Sequence, residues 1–277
     1  MSSNHNPDPQ WDRNVWTPED SQALQHAVTL LESRSFAMTI AQKVGMPVES
    51  LLRMLPAAAH SSIGKAVDRV LQQCLKAALS YKQTDKTSPF SNRRHTWATG
   101  VTGAVGGFFG LPGLLVELPV TTTIMLHSIA EIARSHGEDL TNSETALACL
   151  QVLALGPEGA TNGAMESAYY ATRAALAQVT REAVSYVAQK GVAKESAPAL
   201  VSFLSKIAAR FGLEVSEKAA AQLIPVVGAA GGLSLNILFT MHFQRLAEGH
   251  FTIRRLERRY GLEAVRERFA SVRAATI

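Results

Sequence analysis

Glu117 sits where a carboxylate has no evident partner, in the stretch LPGLLVELPV, with apolar residues on both sides and prolines at 112 and 119. Burying it ionised is costly, so it must be paired, protonated or open to a water-filled cavity. As chemistry, that makes it a general base or an ion ligand with a raised pKa. As structure, it caps a bend by accepting backbone donors, and the residues alone leave both roles open. His127 and Glu131, four apart on one helical face, are half a metal site, and His242, Glu248 and His250 are the residues that would complete it. No HExxH pattern and no tight ligand cluster accompanies them, so neither a metal nor another cofactor is expected. Asn236 and Thr240, also four apart, place a polar stripe inside an apolar segment, where helix-to-helix hydrogen bonding is the expected role. The glycines are followed by no Walker lysine, and the chain has no GxGxxG, GxSxG or EF-hand pattern. Nucleotide hydrolysis and serine-hydrolase chemistry are therefore disfavoured.

Glu117 belongs to a long apolar segment, Trp97 to Gly137, whose first half to Val116 carries no charge. Glycines at Gly100, Gly103, Gly106, Gly107, Gly110 and Gly113 fall at helical spacings of three and four. Each costs up to about 1 kcal/mol in a helix relative to alanine, so their number implies close approach by a second helix. Pro112 and Pro119 each remove a backbone donor, which predicts a hairpin or broken helix bent near Leu111 to Pro119. The helix is expected to resume at Val120 and to end at Gly137. A second uncharged segment, Ala219 to Gln244, repeats the theme, with Gly228, Gly231 and Gly232 echoing Gly103, Gly106 and Gly107. Two similar glycine-rich hairpins packed on one another are the expected core.

The rest of the chain reads as helices. A polar tail over 1–14 precedes a single domain over 15–277. Thr17, Pro18, Glu19 and Asp20 open an amphipathic helix that the pattern carries to Val44, ended by Gly45. A short helix lies between Pro47 and Pro56, and another runs from Ile63 to Tyr81. Thr141 with Glu144 makes a capping box, Ser167 to Lys190 is alanine-rich, and Pro198 to Phe211 ends at Gly212. The apolar stripe Leu256, Val265, Phe269 and Val272 marks a C-terminal helix from Phe251 to Val272, amphipathic enough to lie on a surface. No window alternates as a strand does, so the fold class is all-α.

At 277 residues, 47% hydrophobic and 18% charged, the chain can bury a large core, and its net charge of +4 points weakly to phosphate-bearing partners. Aromatic residues make up 6% and are scattered, which argues against base stacking and against nucleic acid. Cys74 and Cys149 stand far apart beside leucines, as small buried hydrophobes of a reducing compartment do. The polar N-terminus is no secretory signal, so a cytoplasmic start is expected.

The runs GGFFGLPGLLVELPVTTTIMLHSIAEIARSHGEDL, ALACLQVLALG and IPVVGAAGGLSLNILFTMHFQRLAEGHFTIRRLERRYG together resemble the bacterial EcsC protein family over roughly Trp16 to Phe269. That family takes its name from a protein encoded beside an ABC exporter, so the resemblance implies a transport-linked or membrane-associated role. It supplies no catalytic residues. It does place Glu117 and Asn236 in the family's most recognisable stretches.

Length alone allows each apolar segment to cross a bilayer, but glycine, threonine and proline dilute both, and a buried core is the competing reading. Arg93 and Arg94 before the first segment, and Arg254, Arg255, Arg258 and Arg259 after the second, would suit anionic lipid or the cytoplasmic flank of a span. Otherwise they line a solvated face paired with Glu257 and Glu263. The expectation is a non-enzymatic helical protein at the cytoplasmic membrane face, peripheral or inserted, that assists an ABC-type transporter or binds lipid. The alternatives are a metal-dependent or carboxylate-based hydrolase using Glu117, His127 and His242, and a soluble scaffold that self-associates.

Overall fold

A computed structural model describes residues 15–33, 36–79, 110–156, 167–190 and 197–276, leaving the side chains at 37, 43, 44, 51, 110, 111, 225–234 and 276 undescribed. The described residues form ten α-helices and one short 3₁₀ turn, and no strand. In chain order these are α1 (Pro18–Leu31), α2 (Phe36–Val44), α3 (Val48–Arg53), α4 (Ala57–Leu79), α5 (Gly110–Ser135) and α6 (Ser143–Gln151). The 3₁₀ turn (Val152–Ala154) follows, then α7 (Ala168–Lys190), α8 (Pro198–Gln222), α9 (Pro225–Tyr260) and α10 (Leu262–Thr276).

Local signals account for most of the ends. Thr17 Oγ1 accepts the Asp20 amide at 3.1 Å with Pro18 in the first turn, which starts α1. The amphipathic run to Val44 is broken: α1 stops at Leu31 and α2 begins at Phe36. Asn142, not Thr141, caps α6, its Oδ1 accepting the Glu144 amide at 2.9 Å, while Thr141 turns back to bond Asp139. Gly137 and Gly261 end α5 and α9 with φ of +78° and +89°, a left-handed backbone that glycine adopts without a Cβ penalty. The break at Gly261 divides the helix expected over Phe251 to Val272. Gly212, by contrast, lies inside α8, which continues to Gln222 because burial of Val215, Ala219, Ala220 and Ala221 outweighs one glycine.

The break expected near Leu111 to Pro119 is absent, since one helix runs through both prolines. Pro112 lies in the first turn of α5, where its missing donor costs nothing, and Pro119 is carried inside a continuous helix. The apolar packing of Leu114, Leu118, Met125 and Ile129, all fully buried, holds the helix through the lost hydrogen bond. The two hairpins are therefore not seen: the segment before Gly110 lies outside the described residues, and Ala219 to Gln244 is divided between the end of α8 and the start of α9.

Helices α5 and α9 run side by side in the same direction. Gln244 Nε2 donates to Ser128 Oγ at 2.7 Å, His136 Nε2 meets Thr252 Oγ1 at 3.1 Å, and Arg254 Nε donates to Glu138 Oε1 at 2.8 Å, each across 116 residues of chain. A constant offset, not a constant sum, is the signature of parallel neighbours. Both helices thus start at one end of the bundle. Around them, α1 lies along α9, α4 along α8 and α5, and α8 faces α9 through a ladder of rings, Phe211, Phe239 and Phe243, all fully buried.

Candidate functional site

Helix α8 turns three polar residues inward at one-turn spacing, Glu214, Lys218 and Gln222, and the neighbouring helices meet each differently. Lys218 Nζ lies 2.8 Å from Glu117 Oε1, with side-chain exposures of 0% and 2%. Thr121, one turn along α5, donates its hydroxyl to the same oxygen at 2.9 Å, and the ammonium stands 5.0 Å from the Phe239 ring centroid. Burial pushes the lysine below its ordinary value, and the charge and hydrogen bond of Glu117 oppose that. Glu117 Oε2 has no partner among the described residues. The partner that the sequence left unnamed for Glu117 is thus a second buried charge, and the carboxylate is not the cap of a bend. Held this way it forms a neutral pair inside an apolar wall, out of reach of bulk water.

One turn back along α8, Glu214 Oε1 lies 3.9 Å from His242 Nε2, too far for a hydrogen bond. Burial, then the negative charge of Glu217, pushes the Glu214 carboxyl up to about 8, so it holds its proton at neutral pH. Burial, with the positive charge of Arg245, takes His242 down to about 4, so the imidazole is neutral. One turn on, neither end of the Gln222 amide finds a partner among the described residues. Asn236 and Thr240, both wholly buried on α9, form the polar stripe read from their spacing.

The histidines do not gather. His127 is exposed, Glu131 is partly buried, His242 faces Glu214, and His250 is fully buried with Nδ1 2.9 Å from the Tyr169 hydroxyl. Burial and the charges of Arg173 and Arg254 keep His250 neutral. Among the described residues, no three His, Cys, Asp or Glu side chains form a metal-binding group. Cys74 and Cys149 are free buried thiols, both pushed up to about 12, with burial the leading cause.

Arg254, Arg255, Arg258 and Arg259 of α9 are committed to partners. Arg255 and Arg259 each reach one oxygen of the buried Asp20 at 2.8 Å, and the Tyr260 hydroxyl donates to it at 2.8 Å. Burial alone would raise that carboxyl, but the hydrogen bonds from Arg255 and Tyr260 and both positive charges hold it below the usual range. Arg254 and Arg258 both bond Glu138, and Arg173 of α7 clamps Glu257 through two hydrogen bonds of 2.6 and 3.0 Å. The pairing expected with Glu257 and Glu263 is instead with Asp20 and Glu138, because α1 and the turn after α5 pack on this end of α9. These contacts fasten α1, α5 and α7 to one helix. Arg93, Arg94, Gly103, Gly106 and Gly107 lie outside the described residues. Gly110, Gly228, Gly231 and Gly232 lie in helices at positions whose surroundings are not described.

Lys218 and Glu214 are the site residues that sequence reasoning missed. Lys218 opens the run KAAAQLIPVV, and a lysine at the edge of an uncharged segment was the available signal that Glu117 had a counter-charge. Glu214 offered none, since EVSEK reads as an ordinary solvated turn of helix. No curated protein and no solved structure matches the chain. The EcsC protein family matches residues 21–256, which include every residue of the Glu117–Lys218 and Glu214–His242 pairs, and the chain therefore belongs to the EcsC protein family.

Proposed function

We propose that this EcsC-family protein works at the cytoplasmic face of a membrane, as a non-enzymatic helical partner of the bilayer or of an ABC-type transporter. The observation that carries the reading is the surface of α5. Pro112–Ser135 is the one described helix long and apolar enough to cross a bilayer, with mean hydropathy 1.4, yet only half of that window is buried. On its open side Val116 is 79% exposed and Val120 46% exposed, neighbours at one-turn spacing, while the charge between them, Glu117, points inward. Neighbouring exposed apolar side chains on one helix edge support a contact with lipid or protein.

Fractionation tests it. The untagged chain is expressed, membranes are separated from cytosol, and the pellet is washed with high salt, then carbonate, then detergent. The chain is expected in the membrane fraction through the salt wash. Recovery wholly in the cytosol would refute the reading.

A further inference from the structure

Where α5 ends against α9, two kinds of bond fasten the pair. Arg254 and Arg258 both reach Glu138, and Arg258 also donates to the His136 carbonyl at 2.7 Å. Those guanidinium groups stay charged at every physiological pH. His136 is different, because an imidazole can lose a proton near neutrality, and this one lies between the last carbonyls of α5 and the side of α9.

Three of the four oxygens around that ring can only accept. Nδ1 lies 2.9 Å from the Ile132 carbonyl oxygen and 3.2 Å from Ser135 Oγ, whose own proton is already given to Ile132 at 2.8 Å. Nε2 lies 3.3 Å from Glu248 Oε1 and 3.1 Å from Thr252 Oγ1. A neutral imidazole carries one proton and presents a lone pair at its other nitrogen, so no neutral tautomer suits both a carbonyl on one side and a carboxylate on the other. The imidazolium suits both, and its charge complements the negative end of α5. Thr252 is the fourth oxygen, and a hydroxyl can turn. It accepts from Nε2–H while the ring is charged and donates to bare Nε2 once the proton has left. Glu248 has no such alternative and would then face a lone pair. Its side chain is 42% exposed against 12% for His136, so the carboxylate can swing to water while the ring stays in place.

The hydrogen bond from His136 to Glu248 is the largest influence on the ring and outweighs both burial and the positive charge of Arg255, holding the imidazole above its ordinary value. His26 of α1 acts on Glu248 in the same sense as His136, and Glu138 is already neutralised by its two arginines. Independently of the membrane reading, we infer that His136 is a proton-operated latch: charged, it ties the end of α5 to Glu248 of α9, and on losing the Nε2 proton it turns to Thr252 and lets Glu248 go. With the folded midpoint above 6.5, the tie is complete below pH 6.5 and is lost as pH rises through that midpoint. The arginine bridges to Glu138 persist, so the change is a local loosening and not unfolding.

The test is an imidazole nitrogen NMR titration of the labelled full-length chain, with His136 assigned by its loss in His136→Gln, alongside amide exchange at Gly137 and Glu138. Both ring nitrogens are expected to carry protons at pH 6.5, with a midpoint above that value. Glu248→Gln removes the charge and should bring the midpoint down toward 6.5. Thr252→Val removes the donor that serves the neutral ring and should move the midpoint up. Protection of the two amides, corrected for the intrinsic exchange rate, should fall roughly tenfold for each pH unit between the ordinary value and the midpoint, and should stay level in Glu248→Gln. A neutral His136 at pH 6.5, or a midpoint that Glu248→Gln leaves in place, overturns the inference. So does a Thr252→Val midpoint that falls, or protection that ignores the titration, which would make the pair a static bridge. If a variant does not fold, the wild-type nitrogens and amides decide the matter by themselves.

Discussion

Replacing Lys218 by methionine keeps the length and apolar stem of the side chain and removes only the ammonium. Glu117 is then a carboxylate with one hydrogen bond from Thr121, a second oxygen without a partner among the described residues, and 2% exposure. Breaking a buried pair from one side costs about 3 to 5 kcal/mol, because the remaining charge keeps its desolvation cost and loses its compensation. Against a total stability of about 5 to 15 kcal/mol this is a large fraction. In a chain of this size, about 1 kcal/mol moves Tm by roughly 2 to 4 °C, so Lys218→Met should lower it by about 10 °C. Glu117→Leu alone strands the ammonium and should cost a similar amount. The double variant, Glu117→Leu with Lys218→Met, restores a neutral interior and should recover most of the loss. A thermal or urea double-mutant cycle therefore gives a coupling energy of several kcal/mol. A coupling below about 1 kcal/mol, or a single Lys218→Met change no worse than an exposed substitution, would refute the claim that the pair is buried and mutually dependent.

Two further predictions concern the helices beside that pair. Glu214 binds its proton up to about pH 8 in the folded chain against 4.5 when unfolded, so between those values the folded chain holds more protons and this carboxyl makes stability fall as pH rises. His242, at about 4 folded against 6.5 unfolded, acts in the opposite sense between those two values, so the Glu214 decline should stand out from about pH 6.5 to 8. His136, raised by its Glu248 hydrogen bond, also loses stability as pH rises, which makes the difference from Glu214→Gln the quantity to read. Wild-type Tm should fall more steeply than the variant's over that window, and parallel curves would contradict a protonated Glu214. At Gly249 a Cβ would lie 2.7 Å from Leu31 Cγ and 3.3 Å from the Ala27 carbonyl oxygen, so α1 lies against bare backbone of α9. Gly249→Ala should cost about 1 to 3 kcal/mol in urea unfolding despite the better helix propensity of alanine, and a stabilised variant would show that α1 does not dock there.

The helical class was legible because the apolar residues recur at 3.6-residue spacing and the punctuation is local. Thr17 with Pro18 and Gly137 act through their own φ and their nearest amides, so the chain text predicts them without knowing any neighbour. The family was legible too, in the order of the apolar and charged runs around Glu117 and Asn236. Where reading failed, a distant neighbour had decided the outcome. Pro119 and Gly212 look like breaks in one dimension, yet each lies in an unbroken helix, since side chains brought from elsewhere bury the face on either side. The arginines of α9 look like a free basic strip until Asp20, more than two hundred residues earlier, accepts two of them.

Glu117 shows the division most clearly. Its types of neighbour along the chain established that it needed a partner, because an ionised carboxylate among leucines and prolines is costly wherever the fold puts it. Which partner, and therefore whether the group acts as a base, a ligand or half of a neutral pair, depended on α5 and α8 meeting across 101 residues of chain. Desolvation is a property of composition and can be read from a string of residues. Compensation is a property of distance, and only the tertiary structure sets it.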